Sequence, residues 1–291
     1  LRKLLSDTQL RGFSENTVKS YYNQSVRFLK QCCKTNVNSL DEKDFRSYLL
    51  HLHNQGTLKP STINLYNCAI RFFYEVTLEK DINYKRVPHS KQHKTRPEVL
   101  SVPELISFFD EINNPKHFAF YLNLYGSGLR ISEMLSLQTG DIDGKRMLLH
   151  VRNGKGGKER FTSLTDAGYT ALRYYWKTYS PVNTQNYVFP DYTRTRTLST
   201  DAFESMFKKV SKEAGLGKAA TPHTLRHSFS THSLQSGMDL MTLKEMLGHA
   251  SLSSTSVYLH LSLIDQSNKR SPADVTSEIK SLFDERNFIH G

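Results

Sequence analysis

The sequence predicts a mainly α-helical protein of the α+β class, with a helical N-terminal domain and a mixed, mostly helical second domain holding a small antiparallel sheet. Three observations predict it. Apolar residues recur at helical spacing through most of the chain. One pair of short strand-like runs flanks the glycine-rich turn Asn153-Gly154-Lys155-Gly156-Gly157. The stretch from Lys85 to Pro97 is basic, carries no acidic residue, and divides the chain. With 291 residues, and about 100–200 per domain, there is room for two ordinary domains.

Ser14 precedes the first predicted helix, which carries Val18, Tyr21, Tyr22, Val26 and Leu29. Ser39-Leu40-Asp41-Glu42 reads as a capping box in which Ser39 and Glu42 satisfy each other's amides. It opens a helix bearing Phe45, Tyr48, Leu49 and Leu52 that stops at Gly56. Pro60 opens a third, with Ile63, Tyr66, Ile70 and Phe73 on one side. Residues 1–84 therefore read as a small helical domain. In 85–97, Pro88 and Pro97 discourage a helix, and the segment reads as an interdomain linker.

The second domain, 98–291, begins with predicted helices over Val102–Ile112 and Phe118–Leu137. Asp143-Gly144 turns into a strand at Met147–Val151, and Arg160–Leu164 is the returning strand. Thr165 caps a helix through Tyr179, and Thr200–Ala214 forms another, ended by Gly215. Thr221-Pro222, an N-cap followed by proline at the first helical position, opens a helix running to Gly237. Asp239 starts the next, which ends at Gly248. Ser253 caps a short helix containing Tyr258. After Pro272 a final amphipathic helix carries Val275, Ile279 and Phe283.

Composition narrows the function. The 39 Lys+Arg against 28 Asp+Glu give a formal net charge of +11, which favours a polyanionic partner, most simply nucleic acid. Mean hydropathy is −0.53 and no run nears the ~20 apolar residues of a bilayer span, so no membrane segment is expected. The start, Leu1-Arg2-Lys3-Leu4-Leu5, lacks the apolar stretch of a signal peptide. Cys32, Cys33 and Cys68 form neither a CxxC pair nor an even set, which fits a reduced, cytoplasmic setting. No HExxH, no metal-spaced carboxylates and no GxxxxGK[ST] loop occur, so neither metal nor cofactor is expected.

In His223-Thr224-Leu225-Arg226 the imidazole and guanidinium lie three apart, share a helix face, and sit in a first turn that favours an anion. Arg130 is wedged between Leu129 and Ile131, with Glu133 spaced to hold its guanidinium. Lys155 stands at the tip of the glycine-rich turn, with Lys158 as its competitor. His249 follows Gly248, and Tyr258 lies nine positions on. Taken singly, each has a plainer reading: a solvated helix start, a buried Arg–Glu pair, a turn lysine, a core aromatic. Lys85, Arg86, Lys91, Lys94 and Arg96 likewise suit a solvated linker as well as a strap along phosphates.

Together these residues, in this order and spacing, resemble the catalytic signature of the tyrosine recombinases, the phage integrase family, and especially its short Xer-like members. Gly128-Leu129-Arg130-Ile131-Ser132-Glu133, Pro222-His223-Thr224-Leu225-Arg226-His227-Ser228 and Leu247-Gly248-His249-Ala250-Ser251 match family motifs nearly residue for residue. Leu259, in Tyr258-Leu259-His260, stands where Xer-like members commonly have Thr.

The resemblance implies a metal-independent DNA strand transfer. Tyr258 would attack a phosphodiester, leaving a 3′-phosphotyrosyl link and a free 5′-hydroxyl. Arg130 and Arg226 would clamp the phosphoryl oxygens, and Lys155 would protonate the leaving 5′-oxygen. His223 would handle a proton, His249 would bond a phosphate oxygen, and Glu133 would support the clamp. It further implies a SAM-like core-binding domain over residues 1–84. That domain and the catalytic domain would close on double-stranded DNA as a C-shaped clamp, with the basic segment crossing between them. A homotetramer would exchange strands through a Holliday junction, with a second recombinase or an accessory protein as an open alternative. The last helix would dock on a neighbouring protomer or, in the plainer reading, on its own domain. Two rivals differ in what they need: a type IB topoisomerase would relax plasmid without paired sites, and a DNA-binding regulator would have no use for the whole constellation.

Overall fold

Helix capping and buried aromatics account for most of the architecture. The structure is a computed structural model that describes residues 1–34, 36–91, 97–152, 154, 157–216, 220–264 and 270–288. Its backbone falls into two units, Leu1–Thr95 and Arg96–Gly291. No described helix is long and apolar enough to cross a membrane.

The first unit holds α1 (Arg2–Leu10), α2 (Glu15–Cys32), α3 (Glu42–Asn54) and α4 (Pro60–Phe72), the last running into a π turn at Phe73–Thr77. Helix α1 was not expected from the sequence; its Leu4 is fully buried in the unit's core. Ser14 caps α2 by accepting the Thr17 amide. The box that opens α3 is not Ser39 with Glu42. Asp41 accepts the Asp44 amide and Asp44 accepts that of Asp41, while Ser39 ends a short 3-10 turn. Phe28 forms the centre, with Phe45 and Tyr48 meeting it edge-on and Tyr74 tilted against it. Burying rings of this size contributes about 1.5–3 kcal/mol each.

The start of the basic segment is seated on this unit. Val87 is buried, Arg71 holds its carbonyl, and Asn67 donates to the Pro88 carbonyl at 3.0 Å. Asn64 exchanges two hydrogen bonds with Ser90. Lys85, Arg86 and Lys91 remain exposed, and Lys94 and Arg96 lie outside the described residues.

The second unit begins with α5 (Val102–Asp110), α6 (Pro115–Ser127) and α7 (Ile131–Leu135). The expected single helix over Phe118–Leu137 is thus two helices. Gly128 takes φ +63°, a left-handed conformation that glycine enters without steric cost, and α6 ends there. Then come β1 (Ile142–Asp143), β2 (Leu148–Val151) and β3 (Arg160–Ser163), a three-stranded antiparallel sheet in sequence order, with Val151 paired to Arg160 at the base of the hairpin. The short β1 was not expected. Helices α8 (Asp166–Tyr179), α9 (Thr200–Glu213), α10 (Pro222–Gln235), α11 (Leu240–Leu247), α12 (Ser256–Ile264) and α13 (Pro272–Phe288) complete the chain.

Helix α6 is buried from Phe118 to its end at Ser127, between α8 and α10. Helix α10 is polar yet buried. From Thr224 to Ser233 every residue except His227 is buried, and Ser228 and Ser230 bond back to the carbonyls of Thr224 and Arg226 one turn earlier. Helix α13 packs in its own unit. Val275, Ile279 and Phe283 are buried, and Phe283 stacks on Phe118 at 3.8 Å between ring centroids. The stripe is covered within its own unit by α5, α6 and α8, the arrangement of the plainer of the two readings.

Candidate active site

One buried carboxylate organises the site. Glu133, at the third position of α7, reaches back to accept the Arg130 backbone amide at 2.8 Å, the helix-capping geometry its spacing predicts. Its oxygens also accept Arg130 Nη1 at 2.6 Å and both terminal nitrogens of Arg160, at 2.9 and 2.7 Å. Arg226 Nη1 stands 3.9 Å away. Three guanidiniums against one carboxylate leave two positive charges over, which suits an anion. Burial by itself would raise the Glu133 carboxyl, but the bonds from Arg160 and the Arg130 amide, with both guanidinium charges, bring it down to about 2.

Arg226 is buried, and its fork is aimed by helix ends. Nη1 donates to the Gly128 carbonyl, just beyond α6, and Nη2 to the Leu247 carbonyl, the last residue of α11, each at 2.6 Å. Such carbonyls lack helical partners and carry the negative end of the helix dipole. Withdrawal from water, then the Arg130 charge, lower Arg226 to about 10, so it stays cationic at neutral pH.

His249 follows Gly248, which ends α11 at φ +63°. Its Nε2 lies 3.2 Å from Arg226 Nη2 and its Nδ1 2.9 Å from Thr255 Oγ1. A guanidinium can only donate, so Nε2 accepts and neutral His249 carries its proton on Nδ1. Burial and the charges of Arg226 and Arg130 push this imidazole down to about 4.

Tyr258, on α12, is 4% exposed. Its hydroxyl meets His227 Nδ1 at 2.7 Å, and its ring stacks near His249 at 6.3 Å between centroids. Burial raises the Tyr258 hydroxyl, with Arg226, a hydrogen bond with Ser230 and then Arg130 opposing. His223 is exposed; its ring meets that of His227 edge-on at 4.6 Å. Partial withdrawal from water, Arg226 and Arg130 lower it. Arg130 and His223 share the wall of a surface cleft of about 310 Å³ with Ser132 and Thr221.

Of the residues expected at a site, Arg130, Glu133, Arg226, His249 and Tyr258 are joined by these contacts, with His223 beside them. Lys155 lies outside the described residues. Lys158 is exposed past the hairpin turn. The sequence reading did not single out Arg160 and His227. Arg160 has no local signal, because its partner Glu133 is 27 positions earlier. His227 stood inside a recognised motif but beside a more conspicuous arginine. Among the described residues no group of three His, Cys, Asp or Glu side chains is arranged to hold a metal ion.

The sequence pattern of the phage integrase family matches residues 98–263, and that of the phage integrase N-terminal SAM-like domain matches residues 1–84. A Sinorhizobium fredii protein carried under the name integrase/recombinase is 35% identical over 261 residues, covering 89% of this chain and 83% of its own. Tyrosine recombinase XerD of Oceanobacillus iheyensis is 33% identical over 272 residues, covering 86% and 89%. The fold is similar to that of the XerH site-specific recombinase bound to a palindromic difH substrate. Its TM-score is 0.72 and its identity 21%, over 87% of this chain and 78% of that one.

Proposed function

The chain belongs to the phage integrase family, the tyrosine recombinases, which are DNA strand-transfer enzymes, and from that premise we propose that it cuts and rejoins double-stranded DNA at specific sites through a 3′-phosphotyrosyl link to Tyr258. One observation carries the reading: the cationic surplus around Glu133 is linked through Arg226 and His249 to the ring of Tyr258. A phosphodiester is the anion that such a cluster and a tyrosine hydroxyl can both use.

Arg130 and Arg226 clamp the non-bridging oxygens and neutralise the charge that grows on them, so catalysis is positioning plus electrostatics. Glu133 aims the guanidiniums. His249, protonated on Nδ1, turns Nε2 toward the phosphate side and trades its Arg226 contact for one to an oxygen when it binds a proton. Lys155 protonates the leaving 5′-oxygen. His223 occupies the proton-handling position. The exposed Lys85, Arg86, Lys91 and Lys158, with Lys94 and Arg96, contact the DNA backbone. Strands exchange through a Holliday junction in a tetramer.

The test is a suicide substrate, nicked beside the scissile phosphate and drawn from DNA flanking the protein's own gene, run on a denaturing gel without added metal. Wild type should give a covalent band, and Tyr258→Phe should bind the same DNA without one. A band from Tyr258→Phe would remove Tyr258 as the nucleophile. Relaxation of plasmid that lacks any paired site would instead favour a topoisomerase.

A further inference from the structure

The imidazole that touches the nucleophile is not the one at the family's proton-handling position. We propose that His227 is a catalytic base: it takes the proton of Tyr258 as the tyrosine attacks and returns it when the strand is rejoined. The proposal rests on Tyr258 being the nucleophile, as proposed above.

Geometry carries it. His227 Nδ1 stands 2.7 Å from the Tyr258 hydroxyl, hydrogen-bond reach for a base and its nucleophile. One step along a helix rotates a side chain by about 100°. While Arg226 turns inward to the Gly128 and Leu247 carbonyls, His227 therefore faces α12, which packs on α10. It is the single residue from Thr224 to Ser233 that is half-buried rather than buried. His223, four positions earlier on the same face, meets its ring edge-on and is exposed.

The groups facing His227 are Tyr258 on α12, His223 and Arg226 on α10, and His249 after α11. Burial, then His223, Arg226 and His249, push His227 down to about 4, and burial raises Tyr258. Without DNA the proton therefore stays on the tyrosine, and the nucleophile rests in its unreactive form. A phosphodiester anion against Arg226 offsets one of the charges that weaken His227, so the base strengthens where the substrate is bound.

The step balances. The Tyr258 oxygen–phosphorus bond forms and the phosphorus–O5′ bond breaks. The hydroxyl proton passes to His227 Nδ1, and Lys155 gives a proton to the 5′-oxygen. In rejoining, the 5′-hydroxyl returns its proton to Lys155 and His227 returns its own to the tyrosine oxygen.

Two experiments test it. In the first, wild type maps its scissile phosphate on duplexes tiled across the DNA flanking its gene. The same duplex is then made with a 5′-bridging sulfur, whose thiolate leaves without a proton. His227→Gln should bind this DNA as wild type does yet form the Tyr258 adduct at least about 100-fold more slowly. Lys155→Ala should recover on the sulfur duplex while His227→Gln does not, and added imidazole should restore His227→Gly. The wild-type rate should fall in acid as His227 becomes protonated, a limb absent from His227→Gln. Adduct formation by His227→Gln at the wild-type rate or faster overturns the proposal. No Tyr258-dependent adduct from wild type on any tile sinks the recombinase reading itself, and this proposal with it. The second experiment needs no DNA: nitrogen NMR of the free protein should show His227 Nδ1 without a proton. A proton on Nδ1 would make the ring the donor to Tyr258 and overturn the proposal.

Discussion

Arg160 grips Glu133 with both ends of its fork, at 2.9 and 2.7 Å, while its Nε donates to the Met246 carbonyl at 2.8 Å. One side chain thus ties the base of the β2–β3 hairpin, which carries Lys155, to the start of α7 and the end of α11. Each of these elements supplies a residue of the proposed site. The Arg160 side chain is 9% exposed and that of Glu133 4%, so the pair is shielded from water and poorly screened by salt.

Arg160→Lys should therefore be far from conservative. A lysine ammonium cannot span both carboxylate oxygens and a carbonyl, and Glu133 would be left partly unpaired in a buried place. A loss of about 2–4 kcal/mol is expected in urea unfolding. At denaturant-free conditions the folded variant should keep DNA affinity and lose adduct formation. Stability equal to wild type would show that Arg160 holds nothing together.

Glu133 predicts an acid dependence. Its carboxyl is depressed from 4.5 to about 2. A depressed acid contributes stability that is fully present above the unfolded value and is lost as pH falls through the folded one. The whole contribution is on the order of 3 kcal/mol, and about 2 kcal/mol of it is gone by pH 3. Glu133→Gln lacks it. The stability gap between wild type and Glu133→Gln should be widest near pH 6 and narrow toward pH 3, read by chemical unfolding at each pH. A gap that stays constant over that range would contradict the ion-pair account.

Gly128→Ala should cost more than its backbone angle alone requires. Gly128 at φ +63° and Gly12 at φ +66° face the same strain, about 1 kcal/mol for alanine. A Cβ at Gly12 meets nothing within 4 Å, whereas one at Gly128 would lie 2.3 Å from the Phe229 ring. Overpacking adds about 1–3 kcal/mol and displaces the carbonyl that Arg226 holds. Thermal unfolding of both variants decides it: equal shifts would mean that Phe229 moves aside freely.

The basic segment yields a salt prediction. Lys91, Lys94 and Arg96 replaced together by alanine should weaken DNA binding and flatten its dependence on salt. If each contacts a phosphate, the slope of log K against log salt should lose roughly 3, since each contact contributes about 0.9. Affinities measured across a salt series supply the slope. An unchanged slope would leave this stretch as a solvated linker.

Much of the fold was legible because its signals are local. Caps at Ser14, Thr165 and Asp239, proline at the first turns of α4 and α10, and the apolar stripe of α13 all act within a few residues. Where two local signals competed, the reading failed. Ser39 with Glu42 and Asp41 with Asp44 have the same spacing, and only the backbone path chooses between them. The apolar run from Phe118 to Leu137 concealed a break that the Gly126-Ser127-Gly128 punctuation marked.

By itself the sequence determined the helical class, the hairpin and the order of Arg130, Glu133, His223, Arg226, His249 and Tyr258, because periodicity, capping and motif spacing are properties of neighbouring residues. Tertiary structure alone decided that Arg160 completes the Glu133 cluster, that His227 rather than His223 touches the Tyr258 hydroxyl, and that α13 covers Phe118 within its own unit. Those pairings join residues 27, 31 and 165 positions apart. Nothing in a short window of sequence distinguishes the partner a buried polar group or an apolar stripe will find; the close packing of α6, α10 and α12 does.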